Sequence, residues 1–138
     1  MRKLAIAFAF LVLANASAFA GLVARVDVSK QSMTVSENGR VLYHWRVSTA
    51  GRGYHTPRGS YRPTRLHRMW YSRKYDNSPM PHSVFFRGGY AIHGTNHVRS
   101  LGRPASHGCV RLAPGSARAF YNLVKAHGRK NMRIIVQN

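Results

Sequence analysis

Apolar and polar residues alternate over Leu22 to Val28. Leu22, Ala24, Val26 and Val28 fall on one side, and Val23, Arg25 and Asp27 on the other. A period of two marks a half-buried strand. Gln31 to Ser36 continues in the same manner. Glu37-Asn38-Gly39-Arg40 contains an Asn-Gly pair, a hairpin signal because both central positions tolerate positive φ. Val41 to Ser48, rich in Val, Tyr and Trp, supplies the partner strand, so this stretch predicts a β-meander. Glycine and proline dominate Thr49 to Pro63, predicting loops around one short strand at Ser60 to Arg62. Ser83 to Phe86 and Tyr90 to His93 predict two further strands turned by Gly88-Gly89, and Met132 to Val136 a closing one. Phe120, Leu123 and Val124 recur at helical spacing within Ser116 to His127, with Gly128 as the stop signal. Together these elements predict a mainly β domain with one clear helix. Arg65 to Pro81 has no readable period. Its Trp70, Tyr71 and Tyr75 read first as core aromatics, with a substrate-facing rim as the alternative.

The N-terminus has a different plan. Arg2 and Lys3 precede an apolar run from Leu4 to Ala14, and Ala18-Phe19-Ala20 places small residues where a signal peptidase reads. Residues 1–20 are therefore expected to be a secretory signal cleaved after Ala20, with the bond after Ala18 as the alternative. The run is short for a membrane span, and no cysteine comes after it for a lipid anchor. Gly21 to Asn138 is then expected to be one domain's worth of chain, without room for a second module.

Export to an oxidising compartment invites disulfides, but the chain has one cysteine, Cys109, which has no intrachain partner. It is either a buried apolar filler or a working thiol. Its setting, Ser106-His107-Gly108-Cys109-Val110-Arg111, argues for the second. A lone thiol with histidines nearby is the composition of a nucleophile and its base. A neutral thiol attacks poorly, so the chemistry needs a group that takes the proton. Gly108 allows a sharp turn, which lets the N–H groups of Gly108 and Cys109 face a developing oxyanion. His93, at the end of a strand, and His107, two residues from the sulfur, are the candidate partners. The same nitrogen and sulfur atoms, with His97, could be read as zinc ligands. Gly94 after a strand spoils the helical facing that the His93–His97 spacing would need, so no metal is expected.

His93-Gly94-Thr95, Leu101-Gly102-Arg103 and Ser106-His107-Gly108-Cys109-Val110-Arg111 closely resemble the signature of L,D-transpeptidase catalytic domains of the YkuD type. The resemblance extends to Thr56-Pro57-x-Gly59-x-Tyr61 and to Val26-Asp27-Val28-Ser29-Lys30-Gln31, and so covers nearly all of Gly21 to Asn138. It implies a β-sandwich-like fold and a cysteine nucleophile at Cys109, with no cofactor. His93 matches the family's base, and His107 becomes a supporting residue that shapes the loop or helps to hold substrate. Ser106 would brace the loop, while Gly94, Thr95 and Arg111 would lie on the substrate side. Arg111 is open between binding a substrate carboxylate and pairing with backbone carbonyls. No acid lies near His93 in sequence, so a backbone carbonyl is expected to orient its ring. The implied reaction passes the acyl group of a peptidoglycan tetrapeptide stem through a thioester to the side-chain amine of a second stem, a 3→3 cross-link. The resemblance leaves hydrolysis by the same machinery, as a carboxypeptidase or endopeptidase, equally open.

Charge adds a bound on partners. The chain carries 22 Lys and Arg against three acidic residues, a formal net charge of +19. Without Arg2 and Lys3, 20 basic residues face Asp27, Glu37 and Asp76, a balance of +17. So few carboxylates, none near the cysteine motif, exclude a paired-carboxylate glycosidase. The excess favours anionic partners: stem peptides with free carboxylates, teichoic-type wall polymers or lipid head groups. The basic residues are scattered and form no reading helix, so nucleic acid is not expected. A non-catalytic basic wall-binding protein is the alternative from a different class. Residence in the periplasm or at the cell wall is the resulting expectation, without a stable membrane anchor.

Overall fold

The computed structural model describes residues 21–138, and the expected secretory signal lies outside them. Strands β1 (Leu22–Asp27), β2 (Ser32–Glu37) and β3 (Arg40–Arg46) form the expected antiparallel meander. Asn38 and Gly39 both have positive φ at the hairpin turn, as a turn of this kind requires. A short strand β4 (Gly59–Tyr61) comes next, then β5 (Arg65–Ser72), β6 (Ser78–Arg87) and β7 (Tyr90–Gly94). The chain continues with β8 (Val110–Leu112), the helix α1 (Pro114–His127) and β9 (Met132–Gln137).

The strands make two sheets, one of five strands in the order β3-β2-β1-β9-β4 and one of four in the order β5-β6-β7-β8. Two pairings join distant parts of the chain in parallel. β9 returns beside β1, with Leu22 opposite Met132 and Val26 opposite Val136. β8 lies beside β7, with Ile92 opposite Val110 and His93 opposite Arg111. Neither partnership is visible in a period of two, which says which face a residue takes but not which strand it meets.

Alternation sorts these strands into one core. Leu22, Ala24, Val26, Met33, Val35, Ile134 and Val136 from the first sheet pack with Val84, Phe86, Ile92, Val110 and Leu112 from the second. Ala117, Phe120 and Val124 of α1 join the same cluster, so the helix covers the core with one apolar stripe. A smaller cluster of Met80, Phe85 and Ala91 is packed by Trp70 and Cys109. Phe85 and Ala91 are opposite one another in the β6–β7 register, and Ile92 in the same strand belongs to the main core. The small cluster therefore sits on the outer face of the four-stranded sheet. It is the floor on which the sulfur rests.

Several elements differ from the sequence reading. The unreadable Arg65 to Pro81 segment is the greater part of a long antiparallel hairpin, and the strand expected at Ser83 to Phe86 is the end of β6. Pro79, Pro81 and the left-handed His82 (φ 51°) interrupt β6 without ending it, which hides its period. The aromatics of this hairpin part company. Trp70 packs on the outer cluster, Tyr71 is 55% exposed, and Tyr75 lies at the tip. The expected turn after Cys109 is β8, a strand too short to carry a pattern. The helix starts two residues early, with Pro114 in its first turn, where the missing N–H costs nothing.

One buried polar side chain ties the meander to the loops beyond it. Gln31, 4% exposed and with φ 48°, donates through Nε2 to Val28 O at 2.8 Å and Thr49 Oγ1 at 2.6 Å. Its Oε1 accepts the Thr49 N–H at 2.9 Å. Thr49 O in turn accepts the N–H groups of Ala105 and Ser106, at 3.0 and 2.9 Å. Replacing Gln31 by Ala would strand a buried N–H and a hydroxyl, and is expected to cost about 2–4 kcal/mol in a urea unfolding titration.

Candidate active site

The loop that presents the cysteine is built by Ser106. This serine is 1% exposed; its Oγ donates to Cys109 O at 2.6 Å and accepts the Gly108 N–H at 3.0 Å. One hydroxyl thus closes a tight turn around Gly108. Thr56 Oγ1 fixes the same turn from outside, donating to Gly108 O at 2.9 Å and accepting the Ala50 N–H at 3.0 Å. Gly108 has φ 134°, and a Cβ there would sit 2.5 Å from the Tyr90 ring and 2.9 Å from His55 O. Only glycine fits on both counts.

β8 then carries the sulfur to its place. Residues at alternate positions of a strand share a face. Ile92, Val110 and Leu112 point into the core, so His93 and Arg111, opposite one another, point outward with Cys109 one alternation before Arg111. Cys109 and His93 are therefore diagonal neighbours on that face. Both line one cavity of about 560 Å³, together with Arg111, His107, Thr95, His97 and Ser106.

His93 is 6% exposed, and its Nδ1 is 2.6 Å from the carbonyl oxygen of Gly94. A carbonyl only accepts, so Nδ1 carries the proton and Nε2 keeps its lone pair. Burial pushes the His93 pKa down from 6.5 to about 4; the Gly94 carbonyl opposes that shift and the nearby Arg111 charge adds to it. Burial also raises the Cys109 thiol above its ordinary range, against smaller lowering effects from the Ala91 N–H and Arg111. The resting pair is a neutral thiol and a neutral imidazole, not a preformed thiolate. Cys109 Sγ is 3.7 Å from Gly89 O, a weak thiol contact that suits the protonated form.

The remaining expected residues divide. Gly94 is buried, and a Cβ on it would come within 3.1 Å of Pro81 Cγ and 3.2 Å of Ala117 Cβ. Its role is to let the end of β7 enter between β6 and α1 while its carbonyl orients His93. Thr95 is 6% exposed; its N–H donates to Leu112 O at 2.9 Å and its Oγ1 accepts the His97 N–H at 3.1 Å. Arg111 Nη1 donates to Ala105 O at 3.4 Å, a long contact, while the residue also lines the cavity. Gly108 departs from expectation. Its N–H is engaged by Ser106, which removes it from the oxyanion donors that the turn suggested. Among the described residues no three His, Cys, Asp or Glu side chains gather as a metal-binding group; His93, His97, His107 and Cys109 share a cavity wall without converging.

His107 has a position that sequence spacing did not show. Its ring stacks on Tyr75 with centroids 3.9 Å apart and 23° between planes, and meets Tyr54 at 4.7 Å on a tilt. Tyr75 comes from the tip of the β5–β6 hairpin and Tyr54 from the loop after β3. The hairpin tip is thereby held over the cysteine loop, and Lys74, Tyr75, Tyr54 and Tyr90 join the cavity lining. Tyr54, Lys74 and Tyr90 were not singled out in the sequence. Exposed aromatics in a glycine-rich loop were the available signal for Tyr54.

Proteins of known family and structure resemble this chain. A family model described as the YkuD L,D-transpeptidase catalytic domain matches residues 22–136. The chain belongs to that family. Among curated proteins none matches. Solved structures do. An L,D-transpeptidase from Mycobacterium smegmatis is 26% identical with a TM-score of 0.76, over 86% of this chain and 59% of that one. An L,D-transpeptidase from Stackebrandtia nassauensis is 26% identical with a TM-score of 0.74, over 86% and 56%. LD transpeptidase LdtMt1, solved in complex with imipenem, is 25% identical with a TM-score of 0.74, over 84% and 58%. The chain spans less than two thirds of each of these proteins. Its two sheets and principal helix are those of the L,D-transpeptidase fold.

Gly108→Ala is expected to forfeit the loop: the left-handed φ and the 2.5 Å overlap with Tyr90 together should cost about 3 kcal/mol or more in thermal unfolding. Ser106→Ala, which leaves the buried Gly108 N–H unpaired, should cost about 1–3 kcal/mol. His93 also sets a pH dependence. Its folded-state pKa of about 4 lies below the 6.5 of the unfolded chain, so acid protonates the unfolded state first. Stability should fall as pH drops from 6.5 towards 4, and His93→Asn should flatten that part of the profile in denaturant titrations.

Proposed function

We propose that this protein is an exported, cysteine-dependent L,D-transpeptidase that remodels peptidoglycan. The observation that carries the reading is the juxtaposition of Cys109 and His93 on one cavity wall, with His93 Nδ1 committed to Gly94 O. That commitment leaves Nε2 as the only ring atom able to take a proton.

The thiol proton passes to His93 Nε2 as sulfur attacks the carbonyl carbon of a stem amide, between a diamino acid and a terminal D-alanine. The Cys109 N–H is assigned to the oxyanion, since the Gly108 N–H is engaged; one such donor is worth about 3–4 kcal/mol of barrier. The imidazolium then returns its proton to the departing D-alanine amine, and the acyl group remains on sulfur as a thioester. The side-chain amine of a second stem attacks the thioester, His93 takes its proton, and the thiol is regenerated with a 3→3 cross-link formed. No cofactor enters this cycle. Arg111 and Lys74 give the cavity two cationic side chains, and among the described residues no carboxylate lines it, which suits peptides that carry free carboxylates. His107 holds the hairpin tip to the loop through Tyr75, and so shapes the entrance. The Ala18-Phe19-Ala20 site and the basic, apolar start of the chain support export to the periplasm or cell wall.

Incubation with purified tetrapeptide muropeptides, with mass analysis of the products, should yield cross-linked dimers and free D-alanine. Cys109→Ala should lower turnover by at least about a thousandfold, as loss of an acting nucleophile does. Full activity in that variant would end the thiol mechanism. LdtMt1 is described in complex with imipenem; this protein, treated with the same carbapenem, should gain one adduct mass that Cys109→Ala does not. The acid limb of kcat/KM should fall near pH 4 and not near 6.5, because burial holds His93 neutral across that interval.

A further inference from the structure

A second concave site lies apart from the cysteine cavity. It has a volume of about 460 Å³ and is lined by Lys30, Ser32, His44, Arg46, Leu101, Gly102 and Arg103, with Gln31 beneath. Strand register explains the gathering. Ser32 pairs with Arg46 and Thr34 with His44, and because Met33 and Val35 point into the core, these four point to the opposite face. The loop from the active site completes the wall. Gly102 N–H donates to Val47 O at 2.8 Å, which brings Leu101 to Arg103 against β3. Arg46 Cδ lies 3.6 Å from where a Cβ of Gly102 would be.

The chemistry of this groove is one-sided. Among the described residues the only ion pair joins His127 to Glu37, so Arg46 and Arg103 are engaged with no carboxylate. Arg103, Arg46 and Lys30 are all exposed. Asp27 is the nearest acid to Lys30, and it is occupied by the Ser29 hydroxyl at 2.6 Å and the Lys30 N–H at 3.0 Å. Gln31 contributes no free polar atom, since both ends of its amide are used internally. Two guanidinium forks, an ammonium and the Ser32 hydroxyl thus line one groove, and Asp27, which interacts electrostatically with Lys30, is the one carboxylate near it. Planar forks with an added point charge match a tetrahedral oxyanion that presents several oxygens at once.

We propose that this groove is an anion-binding exosite for a phosphate group. It is separate from the site that performs the chemistry, yet shares a loop with it. Residues 101–103 form its wall, while Thr95, Asn96, His97 and Ser106, at the two ends of the same loop, line the cysteine cavity. Occupation of the groove would tether a phosphate-bearing ligand beside the reaction cavity and restrain the loop that Ser106 terminates.

The test is a binding measurement on the full protein and needs no turnover, so it stands or falls separately from the transpeptidase reading. Short linear polyphosphate, orthophosphate and poly-glutamate are titrated by calorimetry, with backbone amide shifts recorded in parallel. Polyphosphate should bind and shift the Ser32 and Gly102 amides, and R46Q/R103Q should weaken it by about tenfold or more, as expected for two lost charge-assisted contacts. The charge-matched R40Q/K130Q variant should retain most of the affinity. Orthophosphate binding at the same sites with equal affinity assigns the groove to the free ion; markedly tighter polyphosphate assigns it to a phosphodiester-type polymer. Equal loss in the two double variants, equally tight poly-glutamate, or shifts that spare Ser32 and Gly102 would each overturn the proposal.

Discussion

The parallel pairing of β7 with β8 is the constraint on which the site depends. It is short, at Ile92–Val110, His93–Arg111 and Gly94–Leu112, yet it determines what the cysteine can meet. A slip by one residue would turn Cys109 into the core and bring Val110 outward. The register is protected by burial on the inner face, where Ile92, Val110 and Leu112 are fully enclosed. The apolar core therefore shapes the chemistry from a distance. It holds sulfur and imidazole on the same outer face without any direct bond between them.

The loop before β8 completes that arrangement through polar contacts. Ser106 and Thr56 together engage the N–H and carbonyl of Gly108 and the carbonyl of Cys109. Gln31 and Thr49 connect that loop back to the first hairpin. Buried hydroxyls and amides used in this way fix direction, since an unmet buried donor is costly and alternative arrangements leave one unmet. Polar contacts thus hold the site from below, while above it His107 stacks on Tyr75 and meets Tyr54 on a tilt.

Electrostatics give the site an unusual resting state. Burial discourages both the thiolate and the imidazolium, and Arg111 favours one while opposing the other. In the proposed mechanism such a pair would move its proton only as the sulfur attacks, when the developing oxyanion and imidazolium can be stabilised together. The arrangement fits a chain with few acids, because a backbone carbonyl orients the ring without adding a negative charge.

The amino-acid sequence alone determined the local elements and the chemical inventory. Alternation over Leu22 to Val28, the Asn38-Gly39 turn and the Phe120-Leu123-Val124 spacing each encode a local geometry, and local geometry is written in neighbouring residues. The residues around Cys109 offered a candidate nucleophile for the same reason, as short-range chemistry around a turn, while His93 entered as its candidate base through the family resemblance. Tertiary structure decided everything that needed a partner far along the chain. The β1–β9 and β7–β8 pairings, the hydrogen bond from Thr56 to the Gly108 carbonyl, and the stacking of Tyr75 on His107 join segments whose own patterns are silent about each other. The pKa of His93 belongs to this second group too, because burial is a property of the assembled core and not of the histidine.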